Sequence, residues 1–274
     1  MGEPMSDAIP AVFSDALKLA HASWRPVLQA GLGAVARANS AYLSELALDT
    51  FLPVEGRIFA AFTQPLEKVR YVLVGEGPYP RVESATGYCF MDGAVDALWS
   101  EKGLSRQVNR ATSLRNFMKM LLVADGRLQK GHTSGVAMEP IAEQARASGS
   151  AWIQTRAELQ DKLLGHGFML LNAALVFRPH VPPLKEAHAW QPLLQAVLVA
   201  LAGSAQARKI DLPVLVLWGK AAELLSALPA NALFPRIVSE HPYNLSFIDH
   251  QGMQTLFGPM QLLQRDNAHS LSMK

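Results

Sequence analysis

Four short apolar runs, each stopping at polar or turn residues, constrain this 274-residue chain more than any other feature. They are "YVLVGEGPYPR" from Tyr71, "FMLLNAALVFR" from Phe168, "PVLVLWGK" from Pro213 and "PRIVSEHPYNLS" from Pro235. Runs of this length bounded by glycine and proline suit the interiors of buried strands. Between them lie stretches with helical spacing: 151–165, ending at Gly165; 187–203, ending at Gly203; and the shorter 220–227. Residues from about 8 to 50 read as helices that precede the sheet. Short strands alternating with helices predict a mainly parallel sheet covered on both sides. The expected fold class is α/β, a three-layer α/β/α arrangement around a central four-stranded sheet. The segment "DGRLQKGHTSGVAMEP", 125–140, has glycines and no clear period, and a surface loop is expected over 125–150. Nothing resembles an interdomain linker, so residues 1–274 are expected to form a single domain.

Composition excludes several classes. A hydrophobic fraction of 50% fits a sizeable core, yet no run reaches the eighteen or so uncharged apolar residues that a membrane span needs. The opening "MGEPMSDAIPA" has no basic segment followed by an apolar one, so no secretory signal is expected. The single cysteine, Cys89, precludes an internal disulfide and a multi-cysteine metal site, and a reducing cytoplasmic location is expected. It reads as a small buried filler. His132 reads as an exposed loop residue. His180 and His188 in "HVPPLKEAH" are too far apart for one zinc-binding helical face. "GEGPYP" begins like a dinucleotide fingerprint but lacks the final glycine, and Pro78 has no N–H to offer a phosphate. No metal or organic cofactor is expected, nor a membrane partner. A net charge of +2 permits a nucleic-acid partner without announcing one.

In a parallel sheet the C-terminal strand ends share one edge, where ligands bind. Gly75–Pro80, Asn172, Trp218–Lys220 and His241–Ser246 are therefore expected around one rim. Asn172 follows four apolar residues; its carboxamide either satisfies loop backbone or matches the imide edge of a pyrimidine. His241, held extended by Pro242, either serves structure or donates to an oxygen on which negative charge develops. Tyr88 and Phe90 flank Cys89 in "GYCF"; such rings fill a core or receive a flat base.

Taken in order, these motifs resemble the uracil-DNA glycosylases of family one. "GEGPYP" is similar to that family's GQDPYH, and "GYCF" at 87–90 to its glycine, hydrophobic residue and Cys-Phe. "ATSLRN" at 111–116 is similar to PPSLRN, "MLLNAALVFR" to LLLNTVLTVR, "VLVLWGK" to a strand ending in Leu-Trp-Gly, and "HPYNLS" to HPSPLS. The resemblance extends upstream into "LPVEGRIFAAFTQPLEKVRYVLVG" and spans about residues 24–262. It implies a monomeric enzyme of base-excision repair whose partner is uracil-containing or damaged DNA. By that resemblance Tyr79 walls the pocket against the methyl group of thymine, Phe90 stacks on the flipped base and Asn172 reads its imide edge. His241 donates to the leaving oxygen, Leu245 wedges the duplex, and Ser113 and Ser246 hold phosphates.

The sequence departs from the pattern at several places. The aspartate that orients the attacking water is Gly77 here, the motif's glutamine is Glu76 and its histidine is Pro80. Tyr243 and Asn244 replace the serine and proline of the last motif, and Arg81, Arg110 or Arg115 offers compensating charge to phosphates. Three readings of Gly77 follow. Uracil is still excised, with Glu76 as the substitute base, although adjacent side chains in an extended loop point apart. A different damaged base is removed. Or DNA is bound as by a sensor, without hydrolysis.

Overall fold

The computed structural model of the chain describes residues 9–265. Among the described residues six strands form: β1 (Tyr71–Gly75), β2 (Trp99–Ser100), β3 (Gly103–Leu104), β4 (Phe168–Asn172), β5 (Val214–Trp218) and β6 (Arg236–Ser239). The four apolar runs become β1, β4, β5 and β6, in a sheet of order β4-β1-β5-β6. β1 pairs in parallel with β4, Tyr71 opposite Phe168 and Gly75 opposite Asn172. On its other side β1 pairs in parallel with β5, Tyr71 opposite Val214 and Val74 opposite Leu217.

The helices are α1 (Ala11–Ala16), α2 (Arg25–Ala38), α3 (Tyr42–Ala47), α4 (Arg106–Arg110), α5 (Thr112–Ala124), α6 (Gly135–Arg146), α7 (Arg156–Gly165), α8 (Pro183–Arg208), α9 (Ala221–Ser226) and α10 (Gln251–Phe257). Two compact units arise, one from the chain up to Asp92 together with Gly167–Arg236, the other from Gly93–His166 and the chain from Ile237. Both are discontinuous in sequence, so no linker composition marks them.

In the first unit, alternate strand residues Val72, Val74, Met169, Leu171, Leu215 and Leu217 join a core with α2 and α8. Leu73, Leu170 and Val216 point to the opposite face and are equally buried. Both faces of the sheet are thus covered, which gives the expected three-layer α/β/α architecture. Between β4 and α8 the chain is anchored by Arg178. Its guanidinium grips Glu186 through two hydrogen bonds of 2.9 and 3.1 Å and reaches Asp49 at 3.2 Å. The Tyr42 hydroxyl also donates to Glu186. Burial, and then that carboxylate, push the Tyr42 phenol well above its ordinary range, so it stays protonated.

In the second unit α7 opens with a capping box in which Thr155 and Glu158 satisfy each other's backbone. Phe117 of α5 meets Phe257 of α10 edge to face, with ring centroids 5.1 Å apart.

Several boundaries differ from the sequence reading. The loop expected over 125–150 contains α6, whose buried Met138, Ile141, Ala142 and Ala145 form a regular helical stripe. Pro140 within it and the glycines before it hide that stripe. The helix expected from 151 starts only at Arg156, beyond its cap. α8 does not stop at Gly203, because its buried stripe continues through Leu201 to Ala205; it ends where Lys209 turns left-handed. Among the described residues no helix is long and apolar enough to cross a membrane.

Candidate active site

The register of β1 against β4 positions the candidate residues of the first unit. Asn172 ends its strand opposite Gly75, 2% exposed, and its Oδ1 is buried without a hydrogen-bond partner. An unpaired buried acceptor costs about 1–3 kcal/mol, so its retention calls for a reason. Gly75 makes the approach possible. A Cβ there would stand 2.8 Å from Cys89 Cβ and 2.9 Å from Asn172 Oδ1, closer than real Cβ atoms come. Cys89 is buried as expected, donates its S–H to the Leu73 carbonyl at 3.2 Å, and has its thiol pushed far up by burial. It is a packing residue.

Phe90 follows with φ at +65°, a left-handed conformation that a bulky side chain adopts only at a cost of about 1–3 kcal/mol. Its ring is braced edge to face by Trp218, with centroids 5.0 Å apart. Its carbonyl accepts the Tyr79 hydroxyl at 3.4 Å. Burial, reinforced by the charge of Asp92, raises the Tyr79 phenol, which therefore remains a neutral donor. The first-motif loop that leads to Tyr79 is exposed at Glu76 and Gly77. It is tied to the chain after β4, where the Ala173 and Ala174 N–H groups donate to the carbonyls of Gly75 and Glu76 at 2.8 and 3.0 Å. Gly77 has room: a Cβ would meet Ala174 Cβ at 3.4 Å and its carbonyl oxygen at 3.7 Å, ordinary contacts. Arg81 lies 3.8 Å from Glu83 and 3.7 Å from Asp92, so carboxylates already offset its charge.

The second unit carries the other set. His241–Asn244 is a β-turn closed by the Asn244 N–H to the His241 carbonyl at 2.9 Å, with Pro242 at its second position. The Tyr243 N–H donates to His241 Nδ1 at 3.1 Å. With Nδ1 engaged as an acceptor, Nε2 is the ring nitrogen suited to donate. Leu245 and Tyr243 project from the loop at 69% and 67% exposure. The Ser246 hydroxyl donates to Glu240, and this bond holds that carboxylate below its usual range. Ser113 is the second residue of α5, whose first N–H groups lack helical partners and suit an anion. Arg115 donates to the Asn109 carbonyl at 3.2 Å and to Asn116 Oδ1 at 3.3 Å.

Asn116 was not singled out in the sequence, and it organises this loop. It is fully buried, and its Nδ2 donates to the carbonyls of Pro242, Tyr243 and Asn244 at 2.8, 3.3 and 3.4 Å. The available signal is a polar residue among buried Leu114, Phe117 and Met118. Asn116→Ala is expected to destabilise the protein by about 1–3 kcal/mol, because three carbonyls lose their donor. Denaturant unfolding measures the loss, and faster hydrogen exchange confined to Tyr243 and Asn244 locates it.

Tyr79, Phe90, Asn172, Glu76 and Gly77 thus lie in the first unit, where the structure gathers Asn172 with Cys89 and Gly75, and Tyr79 with Phe90 and Trp218. Ser113, Arg115, His241 and the residues to Ser246 lie in the second.

No family model matches the chain. It is 30% identical over 226 residues to a uracil-DNA glycosylase of Mycolicibacterium gilvum, covering 81% of this chain and 80% of that protein. It is 27% identical over 228 residues to a uracil-DNA glycosylase of Corynebacterium efficiens, with 82% and 78% covered. Among solved structures it is similar to the wild-type UNG crystal structure from Nitratifractor salsuginis. That match has a TM-score of 0.82, 34% identity, and covers 97% of this chain and 100% of that one.

Proposed function

The chain belongs to the uracil-DNA glycosylase superfamily, and from that premise we propose that it extrudes a uracil-like pyrimidine from DNA and hydrolyses its N-glycosidic bond. The observation that carries the proposal is the buried, unpartnered Oδ1 of Asn172 at the C-terminal edge of the sheet. A pyrimidine imide supplies the missing N–H to that oxygen and takes a hydrogen bond on its carbonyl from the same carboxamide. The left-handed backbone of Phe90 and its ring braced by Trp218 support a role as the surface on which the base stacks. Tyr79 excludes a methyl group.

Extrusion costs roughly a few kcal/mol, and Leu245 offsets part of it by filling the vacated stack. Bond cleavage leaves positive charge on the sugar and negative charge on the base. His241, donating through Nε2, stabilises the departing anion, an interaction that strengthens only as charge develops. Ser113 at the start of α5 receives a phosphate, and Arg115, Tyr243, Asn244 and Ser246 lie along the DNA. Glu76, exposed beside the vacant position 77, attends the attacking water.

Gly77 also favours a second reading, in which DNA and base are bound without turnover, because position 77 has no side chain to serve the water. A cleavage assay on duplexes carrying uracil, thymine, hypoxanthine, xanthine or an oxidised pyrimidine separates the two. Abasic sites are expected at uracil and not at thymine. Glu76→Gln is expected to slow their formation tenfold or more, in the range typical of removing a general base. An unchanged rate removes Glu76 from the mechanism. Selective binding of uracil DNA with no abasic product selects the second reading.

A further inference from the structure

We infer that Tyr243 is a second stacking side chain beside Leu245, and that duplex DNA is its partner, the ring lying on a base that neighbours the extruded nucleotide. The inference rests on the glycosylase reading, since it needs DNA at this loop.

Tyr243 occupies the third position of the His241–Asn244 turn, where a side chain is displayed outward. Its backbone has little left for an external partner. The N–H is given to His241 Nδ1 at 3.1 Å, and the carbonyl accepts from Asn116 at 3.3 Å. A small polar residue here could reach a phosphate only through its own hydroxyl, since the amide is already spent. What Tyr243 presents instead is an aromatic face, 67% exposed. Large apolar surface held in water on a fixed turn is an unfavourable arrangement for a free protein and a favourable one for a surface that meets stacked bases.

Three features make the ring a stacking platform rather than a loose side chain. Pro242 is buried and fixes the turn's second residue. Asn116, fully buried, holds three successive carbonyls, so the loop is ordered before any ligand arrives. A tyrosine has only two side-chain torsions to lose on contact, which keeps the entropic cost of stacking low. Leu245, two residues on and 69% exposed, is the neighbouring apolar projection. Wedge residues commonly unstack one base step, and a ring beside the wedge restores a stacking partner to the base left uncovered.

The test uses the full chain and a duplex in which 2-aminopurine adjoins the uracil, with binding followed by anisotropy and base stacking by 2-aminopurine emission. Tyr243→Ser is expected to weaken duplex binding roughly tenfold or more, the lower part of the range for one base–aromatic stack. Tyr243→Phe is expected to bind within about twofold of the wild type, because the π-face is retained. Emission is expected to stay low in the wild type and in Tyr243→Phe and to rise in Tyr243→Ser. The exposed position leaves the fold untouched, which thermal unfolding of each variant verifies. Wild-type affinity and emission in Tyr243→Ser would overturn the inference, as would a loss in Tyr243→Phe equal to that in Tyr243→Ser. A wild-type chain that binds no uracil-containing DNA overturns the glycosylase reading and this inference with it.

Discussion

Gly77→Asp is expected to raise the rate of abasic-site formation at uracil about a hundredfold, the scale of one well-placed charge that acts on the transition state. The backbone is ready to take the side chain. The new Cβ makes only ordinary contacts with Ala174, and the φ of residue 77 lies outside the left-handed region that would disfavour aspartate. The peptide is also fixed, because the Glu76 carbonyl accepts the Ala174 N–H at 3.0 Å. On the proposed mechanism, a carboxylate placed there is expected to stabilise the positive charge growing on the sugar and to orient the attacking water. Affinity for uracil-containing DNA is expected to change far less than turnover, since the interaction strengthens only as the bond breaks. Single-turnover cleavage beside equilibrium binding measures both. A rate unchanged by Gly77→Asp, with binding intact, would mean that the loop does not address the sugar.

Asn172→Ala is expected to lower cleavage by about 10²–10³-fold, as removal of a polar group that holds a charge-developing substrate does in other sites. Preference for uracil over thymine and cytosine is expected to vanish with it, because a site built around hydrogen bonds rejects the wrong partner by leaving groups unpaired. Stability should move the other way or little at all. The side chain removed contains an acceptor that is buried and unsatisfied in the free protein, and deleting such an acceptor removes its desolvation penalty. Loss of discrimination together with preserved or raised unfolding free energy distinguishes a reading residue from a structural one. Retained discrimination in Asn172→Ala would refute the base-reading role.

The strands were legible because their apolar runs are short, dense and bounded by turn residues, so β1, β4 and β5 appear within the stretches that sequence marks. The placement of Asn172 at the end of its strand, opposite Gly75, was legible for the same reason: parallel topology alone puts strand ends on one edge. Helix α6 was obscured by Pro140, although its stripe of Met138, Ile141, Ala142 and Ala145 is regular once the start is known. The start of α7 was legible in principle, since Thr155 and Glu158 have capping-box spacing. Asn116 is different. Its role depends on carbonyls 126 to 128 positions later in the chain, and no local pattern announces such a partner. The same holds for Phe90, whose backbone strain belongs to the fold and not to the tetrapeptide around it.

At position 75 two neighbours, Cys89 and Asn172, occupy the space that even a methyl group would require. The carboxamide oxygen therefore rests against bare backbone, and its height above the strand is set by an atom that is not there. Enlarging residue 75 would push the amide of Asn172 aside, so the missing Cβ acts as the calibration mark for where that carboxamide stands.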